Sequence, residues 1–165
     1  MAFDRPGARR DEEPAIALRR ATPDDAPSIA SLTDAAYEKY IPRIGRKPQP
    51  MTADYRAMAA EHPIWLLYLG DELAGLLALE FEPETVMVYS VAVRPELQGR
   101  GLGRRLLGLA EEQALDAGRS KVRLYTNELF AENIGLYLRA GYAETRREAY
   151  LGTRLVHMEK QVHRP

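Results

Sequence analysis

The sequence predicts a mixed α/β fold in one domain, and three observations predict it. Segments with strand alternation and segments with helical spacing interleave in the order β-α-α-β-β-β-α-β-α-β-β. A run of three strands precedes the second half of that order, unlike the regular repeat of a doubly wound sheet. No internal repeat or low-complexity linker divides the 165 residues, a length that fits a single domain of roughly 100–200 residues.

The elements follow in order. Residues 1–14 mix Pro, Gly, Arg and acids without periodicity and read as a disordered lead. The domain runs over 15–162, leaving 163–165 as a tail. Residues 15–20 (AIALRR) alternate as a first strand, with Ile16 and Leu18 inward. Thr22 stands as an N-cap with Pro23 at the first helical position, and Ile29, Leu32, Ala36, Tyr37 and Tyr40 recur at helical spacing. Pro42, Gly45, Pro48 and Pro50 predict a loop over 41–51. Thr52 caps a second short helix that ends at His62-Pro63. Residues 64–69, the turn Gly70-Asp71 and residues 73–81 make a hairpin. The β-prone run 85–93 (TVMVYSVAV) stops at Pro95. Leu102, Leu106, Leu109, Ala110 and Ala114 share one face of a helix over 101–117, closed by Gly118. A strand over 121–126, a helix over 130–140 and two strands near 142–150 and 154–162 complete the chain, with Gly152 in the last turn.

Composition narrows the function. With no cysteine, the chain has no disulfide, no thiolate nucleophile and no Cys-based zinc site. His62, His157 and His163 are far apart and show no ligand spacing, so no metal is expected. Lys plus Arg number 23 against 24 Asp plus Glu, a balance that argues against coating nucleic acid or an anionic membrane. No apolar run approaches the ~18 residues of a membrane span, and the N-terminus has no secretory h-region. These features predict a soluble, cytoplasmic protein.

The informative stretch is 98–103, Gln-Gly-Arg-Gly-Leu-Gly, where a strand hands over to a helix. Alternate glycines let successive backbone amides converge, and a helix start adds its positive dipole end, so the turn suits phosphate oxygens. Arg100, Arg104 and Arg105 add positive charge. A P-loop would need Gly-Lys-Ser/Thr, but Arg104-Arg105 follows Gly103. A dinucleotide G-x-G-x-x-G fails as well, because Arg104 and Leu106 stand where its last glycine would fall.

Gln98-Gly-Arg-Gly-Leu-Gly103, preceded by Val91-Ala-Val and followed by an amphipathic helix, resembles the Q/R-x-x-G-x-G/A motif of the GNAT superfamily of acyl-CoA N-acyltransferases. The resemblance covers 15–162 and includes the order of strands and helices. It implies a mixed, mostly antiparallel central sheet flanked by helices, and an N-acetyltransferase with acetyl-CoA as cosubstrate and no metal. By the same resemblance, the backbone amides of Gln98, Gly99, Arg100, Gly101, Leu102, Gly103 and Arg104 hold the coenzyme A pyrophosphate. The edge of Val91, Ala92 and Val93 bonds the pantetheine arm as a pseudo-strand, with the Val91 amide on the thioester oxygen. Relatives that dimerise extend the expectation to a homodimer.

Asn133 and Tyr137 are four apart on the later helix and share a face. The resemblance puts Asn133 against the pantetheine or phosphate region and Tyr137 near the thioester sulfur. A phenol, with a pKa of about 10, stays protonated at neutral pH and can protonate a departing thiolate. Tyr137 is therefore the candidate general acid. The base is less legible. Many family members carry a Glu on the strand before the glycine turn, whereas Val88-Tyr89-Ser90-Val91 has no carboxylate here. Glu80 and Glu82 on the preceding strand are the substitutes, Glu80 acting through water.

Residues 40–50, which border the acceptor pocket in the family, carry Arg43, Arg46 and Lys47. Those charges favour an acceptor with a carboxylate or phosphate. The acceptor class otherwise stays open between a small-molecule amine and a peptide amine. The absence of cysteine favours direct transfer over an acyl-enzyme. The alternative of a different class is a non-catalytic acyl-CoA-binding sensor module, suggested by the missing strand carboxylate.

Overall fold

The computed structural model describes residues 14–165; the predicted disordered lead falls outside the described residues except for Pro14. Seven strands form one sheet in the order β1-β2-β3-β4-β5-β7-β6. They are β1 (Ile16–Arg20), β2 (Ile64–Leu69), β3 (Glu72–Phe81), β4 (Val86–Val93), β5 (Lys121–Asn127), β6 (Ala143–Tyr150) and β7 (Thr153–Gln161). Every neighbouring pair is antiparallel except β4 and β5.

Helices cover both faces. α1 (Ala26–Tyr37) and α3 (Tyr55–Glu61) pack on one, where Ile29, Leu32 and Tyr55 meet Ile64, Leu66, Leu76 and Ala78. α4 (Leu102–Asp116) packs on the other, where Leu106, Leu107 and Ala110 meet Leu77, Leu79, Val86 and Val122. α5 (Ala131–Arg139) contributes Tyr137 to that second cluster. This two-sided burial explains why β3 reads as a nearly continuous apolar run.

Three local expectations change. Ile16 is 48% exposed rather than inward, because β1 is an edge strand whose first residues are uncovered on both faces; Leu18 is partly buried. The 41–51 segment is not plain loop. Pro42 sits in the first turn of a four-residue helix, α2 (Ile41–Ile44), closed by Gly45 at φ 73°, and a 3-10 turn follows over Gln49–Thr52. Proline here starts a helix because the missing N–H would have no partner in a first turn. The cap of α3 is Asp54, whose Oδ1 accepts from the Ala57 amide at 3.1 Å. Thr52 instead closes the 3-10 turn, its hydroxyl donating to Gln49 O at 2.9 Å.

Candidate active site

β4 leads through a 3-10 turn (Pro95–Leu97) into the glycine segment. Gly99 and Gly101 take φ of 80° and 82°, a left-handed region that any side chain would strain. Gly101 is the N-cap of α4 and brings no side chain to cap it. The first amides of α4 have no partner within the helix and stay open to a ligand. Gln98 braces the turn, its Nε2 donating to Val93 O at 3.1 Å. Gly103 serves a different purpose: a Cβ there would stand 3.1 Å from Leu136 Cδ2, so glycine lets α4 and α5 approach. A cavity of about 410 Å³ opens at this turn. It is lined by Val91, Ala92, Val93, Gln98, Gly99, Gly101, Leu102, Gly103, Arg104 and Asn133 among the sequence-predicted residues.

The gap beside the turn comes from strand pairing that ends early. β4 and β5 pair only through Val86 with Val122 and Met87 with Arg123. Beyond Met87 the β4 edge that faces β5 has no strand partner among the described residues. A β-bulge falls at the same place: Leu79 opposes Val88 and Ala78 opposes Ser90, leaving Tyr89 extra. α5 begins beside this gap. Asn133 Oδ1 accepts from the Tyr40 hydroxyl at 3.4 Å, and the Tyr40 ring stacks on Phe130 at 4.0 Å. Tyr37 donates to the free-edge carbonyl of Val91 at 3.4 Å.

Tyr37 also lines a second cavity of about 280 Å³ on the far side of the gap. That cavity is walled by the 44–52 segment, by Val88 and Tyr89 at the bulge, by Tyr125, Phe130 and Tyr137, and by the β6–β7 turn. Tyr137 is 4% exposed, and burial raises its hydroxyl well above the ordinary value of 10. Burial also pushes Tyr89 up to about 12, with the charges of Tyr125 and Glu80 adding to the shift. These phenols stay protonated through the neutral range and so keep an O–H to donate.

A family model described as the acetyltransferase (GNAT) family matches residues 28–142. The chain belongs to the GNAT acetyltransferase family. It is 35% identical over 131 residues to a mycothiol acetyltransferase of Thermobispora bispora, covering 79% of this chain and 41% of that protein. A mycothiol acetyltransferase of Clavibacter sepedonicus is 31% identical over 148 residues, covering 87% of this chain and 48% of the relative. The chain thus spans half or less of the length of these curated relatives. Among solved structures, the PaiA N-acetyltransferase of Thermoplasma acidophilum in complex with coenzyme A superposes with a TM-score of 0.75. That pair is 14% identical and covers 89% of this chain and 99% of the other, a likeness of fold alone.

On this GNAT frame the predicted residues divide. Arg100 is exposed at the tip of the turn and lines neither cavity, whereas Arg104 lines the first. Arg94, close by in sequence, donates from Nε to Leu73 O at 2.5 Å and braces the strand end. Arg139 of α5 lines the first cavity, although its sequence context gave it no role. Tyr137 lines the second cavity rather than the first. Arg43 is held by both Glu132 oxygens at 2.7 Å, while Arg46 and Lys47 line the second cavity. Glu82 is bound by Arg123 and accepts from the Thr85 hydroxyl at 2.6 Å, which holds its carboxyl below the usual range. Glu80, opposite Met87 on β3, lines neither cavity, and its charge adds to the upward shift of the Tyr89 and Tyr125 hydroxyls.

Sequence reasoning used Tyr37 and Tyr40 only as positions at helical spacing and missed their hydroxyls. It also missed the bulge, for which a signal existed. Val86, Val88, Val91 and Val93 all join one core cluster, so the period-two alternation slips by one residue between Val88 and Val91.

Proposed function

We propose that the protein transfers the acetyl group of acetyl-CoA directly to a primary amine. The observation that carries this reading is the pair of cavities meeting at Tyr37, with the open glycine turn in one and the buried Tyr137 in the other. The uncapped start of α4 and the two left-handed glycines fit a pyrophosphate, since they leave converging amides with no internal partner. In this reading the backbone of 98–104 binds the phosphates, and the free edge of Val91, Ala92 and Val93 orients the pantetheine arm. Asn133 packs against that arm. Bound acetyl-CoA would supply an activated thioester carbonyl.

The residues of the chain then divide the work. The Val91 amide stabilises the negative charge that develops on the thioester oxygen. Tyr137 O–H donates its proton to the departing sulfur as the amine nitrogen bonds to the carbonyl carbon and the C–S bond breaks. The aromatic walls of the second cavity lower the pKa of an enclosed ammonium by desolvation, favouring the neutral nucleophile. Glu80, through water past Tyr89, takes the proton that the amine loses. Positioning of both substrates supplies much of the acceleration.

A second reading has one observation in its favour: among the described residues, no Asp or Glu lines the second cavity. It is a non-catalytic acyl-CoA-binding module. Thermal shift with acetyl-CoA, coenzyme A, ATP and NAD reads the first cavity. Free-thiol release with acetyl-CoA and an amine panel separates catalysis from sensing. Stabilisation by acetyl-CoA with no thiol released by any amine would overturn the transferase reading.

A further inference from the structure

We propose that the second cavity accepts small amines carrying an anionic group, and that Arg46 binds that group. The inference rests on the acetyl-transfer reading for the purpose of the cavity, but its geometry stands apart. Arg46 lies between α2 and the Gln49–Thr52 turn, half-buried in the cavity wall. Its Nη1 donates to Leu151 O at 3.1 Å and to Ile44 O at 3.5 Å, and its guanidinium lies 5.4 Å from the centre of the Tyr150 ring. Contacts from its own segment and from the distant β6–β7 turn therefore hold the side chain. Its Nε and Nη2 donors have no partner among the described residues.

The charge of Arg46 is likewise unanswered. Arg19, Arg43, Arg123, Arg147 and Arg154 each meet a carboxylate, but Arg46 and Lys47 meet none among the described residues. Both line a cavity whose walls, among the described residues, contain no Asp or Glu. Glu80 and Glu148 act on Tyr125 electrostatically, yet neither lines the cavity, and Glu148 is itself held by His157 at 2.6 Å and Arg146 at 3.5 Å. A half-buried guanidinium with a fixed plane and two free donor positions is suited to a carboxylate, phosphonate or phosphate.

The remaining walls set the rest of the acceptor. Tyr89, Tyr125, Phe130 and Leu155 present rings and methyl groups, which suit an apolar or aromatic skeleton. A volume of about 280 Å³ holds a molecule of single-ring size. Polycationic amines find no carboxylate to receive their further charges and two cations to repel them.

Calorimetry tests this with matched probes. Benzylamine, 4-(aminomethyl)benzoate and 4-(aminomethyl)phenylphosphonate are titrated into the protein with and without coenzyme A, so that no transfer occurs. At least one anionic probe binds about tenfold or more tightly than benzylamine, the scale of a charge-assisted hydrogen bond. The tighter of the two assigns the anion as carboxylate or phosphonate. Arg46→Gln collapses the preference to less than about threefold, and Arg46→Lys, which keeps the charge without the fork, retains part of it. Equal binding of all three probes, or a preference unchanged in Arg46→Gln, overturns the inference. Thiol release with acetyl-CoA is read separately. An anionic preference without thiol release would sink acetyl transfer and leave the anion site standing.

Discussion

The cavity under the glycine turn and the cavity beyond Tyr37 share a wall but are built of different material. The first is largely backbone: two left-handed glycines, an uncapped helix start and a strand edge freed where β4 leaves β5. The second is made of side chains from segments far apart in the chain, near residues 44–52, 88–89, 125–130 and 150–155. Backbone donors depend on conformation, so a few glycines suffice to specify them. Side-chain walls depend on residue identity at many positions, and those outside the core clusters, such as Arg46, Lys47 and Leu151, can change without disturbing the core. In the proposed reading, one chain thus holds a constant cosubstrate site beside an adjustable acceptor site.

The sharpest way to break this comparison is at the junction. Tyr137→Phe removes a proton donor but leaves the glycine turn intact. Turnover at saturating acetyl-CoA should fall by about 10²-fold or more, while the coenzyme A dissociation constant stays within about twofold. Steady-state thiol release and calorimetry read the two quantities; unchanged turnover would remove the acid role from Tyr137.

Gly101→Val attacks the backbone side alone. Strain of about 1–3 kcal/mol at a left-handed position either distorts the turn or destabilises the fold. The expected result is a rise in coenzyme A dissociation constant of roughly 5- to 100-fold, with a smaller loss of turnover at saturation. Tight binding by this variant would show that the amides of the turn are not the phosphate ligands.

The pH profile sharpens the roles next. Burial raises the Tyr137 hydroxyl well above 10, so the protonated donor persists as pH rises. The rate at saturation should therefore show no falling alkaline limb below pH 10 that Tyr137→Phe abolishes. A limb with a midpoint near 8 that disappears in that variant would contradict the burial argument. The smallest effect belongs to Glu80→Gln. Because Glu80 lines neither cavity, turnover near neutral pH should drop less than about tenfold, and a larger loss would mark it as the direct base.

The β4–α4 region was legible because its signals are local. Strand, turn and helix lie within about thirty residues of one another, and glycine at 99 and 101 is readable as a backbone requirement. The bulge was legible in principle from the slipped valine phase at 88 and 91. Other features were not. Whether Arg43 or Arg46 lines the second cavity depends on Glu132, far along the chain, which holds Arg43, while Arg46 meets no carboxylate among the described residues. The exposure of Ile16 likewise follows from the place of β1 at the sheet edge, which its own alternation does not reveal.

The sequence by itself determined the order of the strands and longer helices, the family motif and the conformation of the glycine turn. Each depends on residues close in the chain, where periodicity and glycine chemistry act directly. Only the tertiary structure decided where β4 parts from β5, which tyrosines meet in the gap and whether Arg43 or Arg46 meets a carboxylate. Those outcomes depend on contacts between residues tens of positions apart, and such contacts are selected by packing of the whole sheet rather than by local preference.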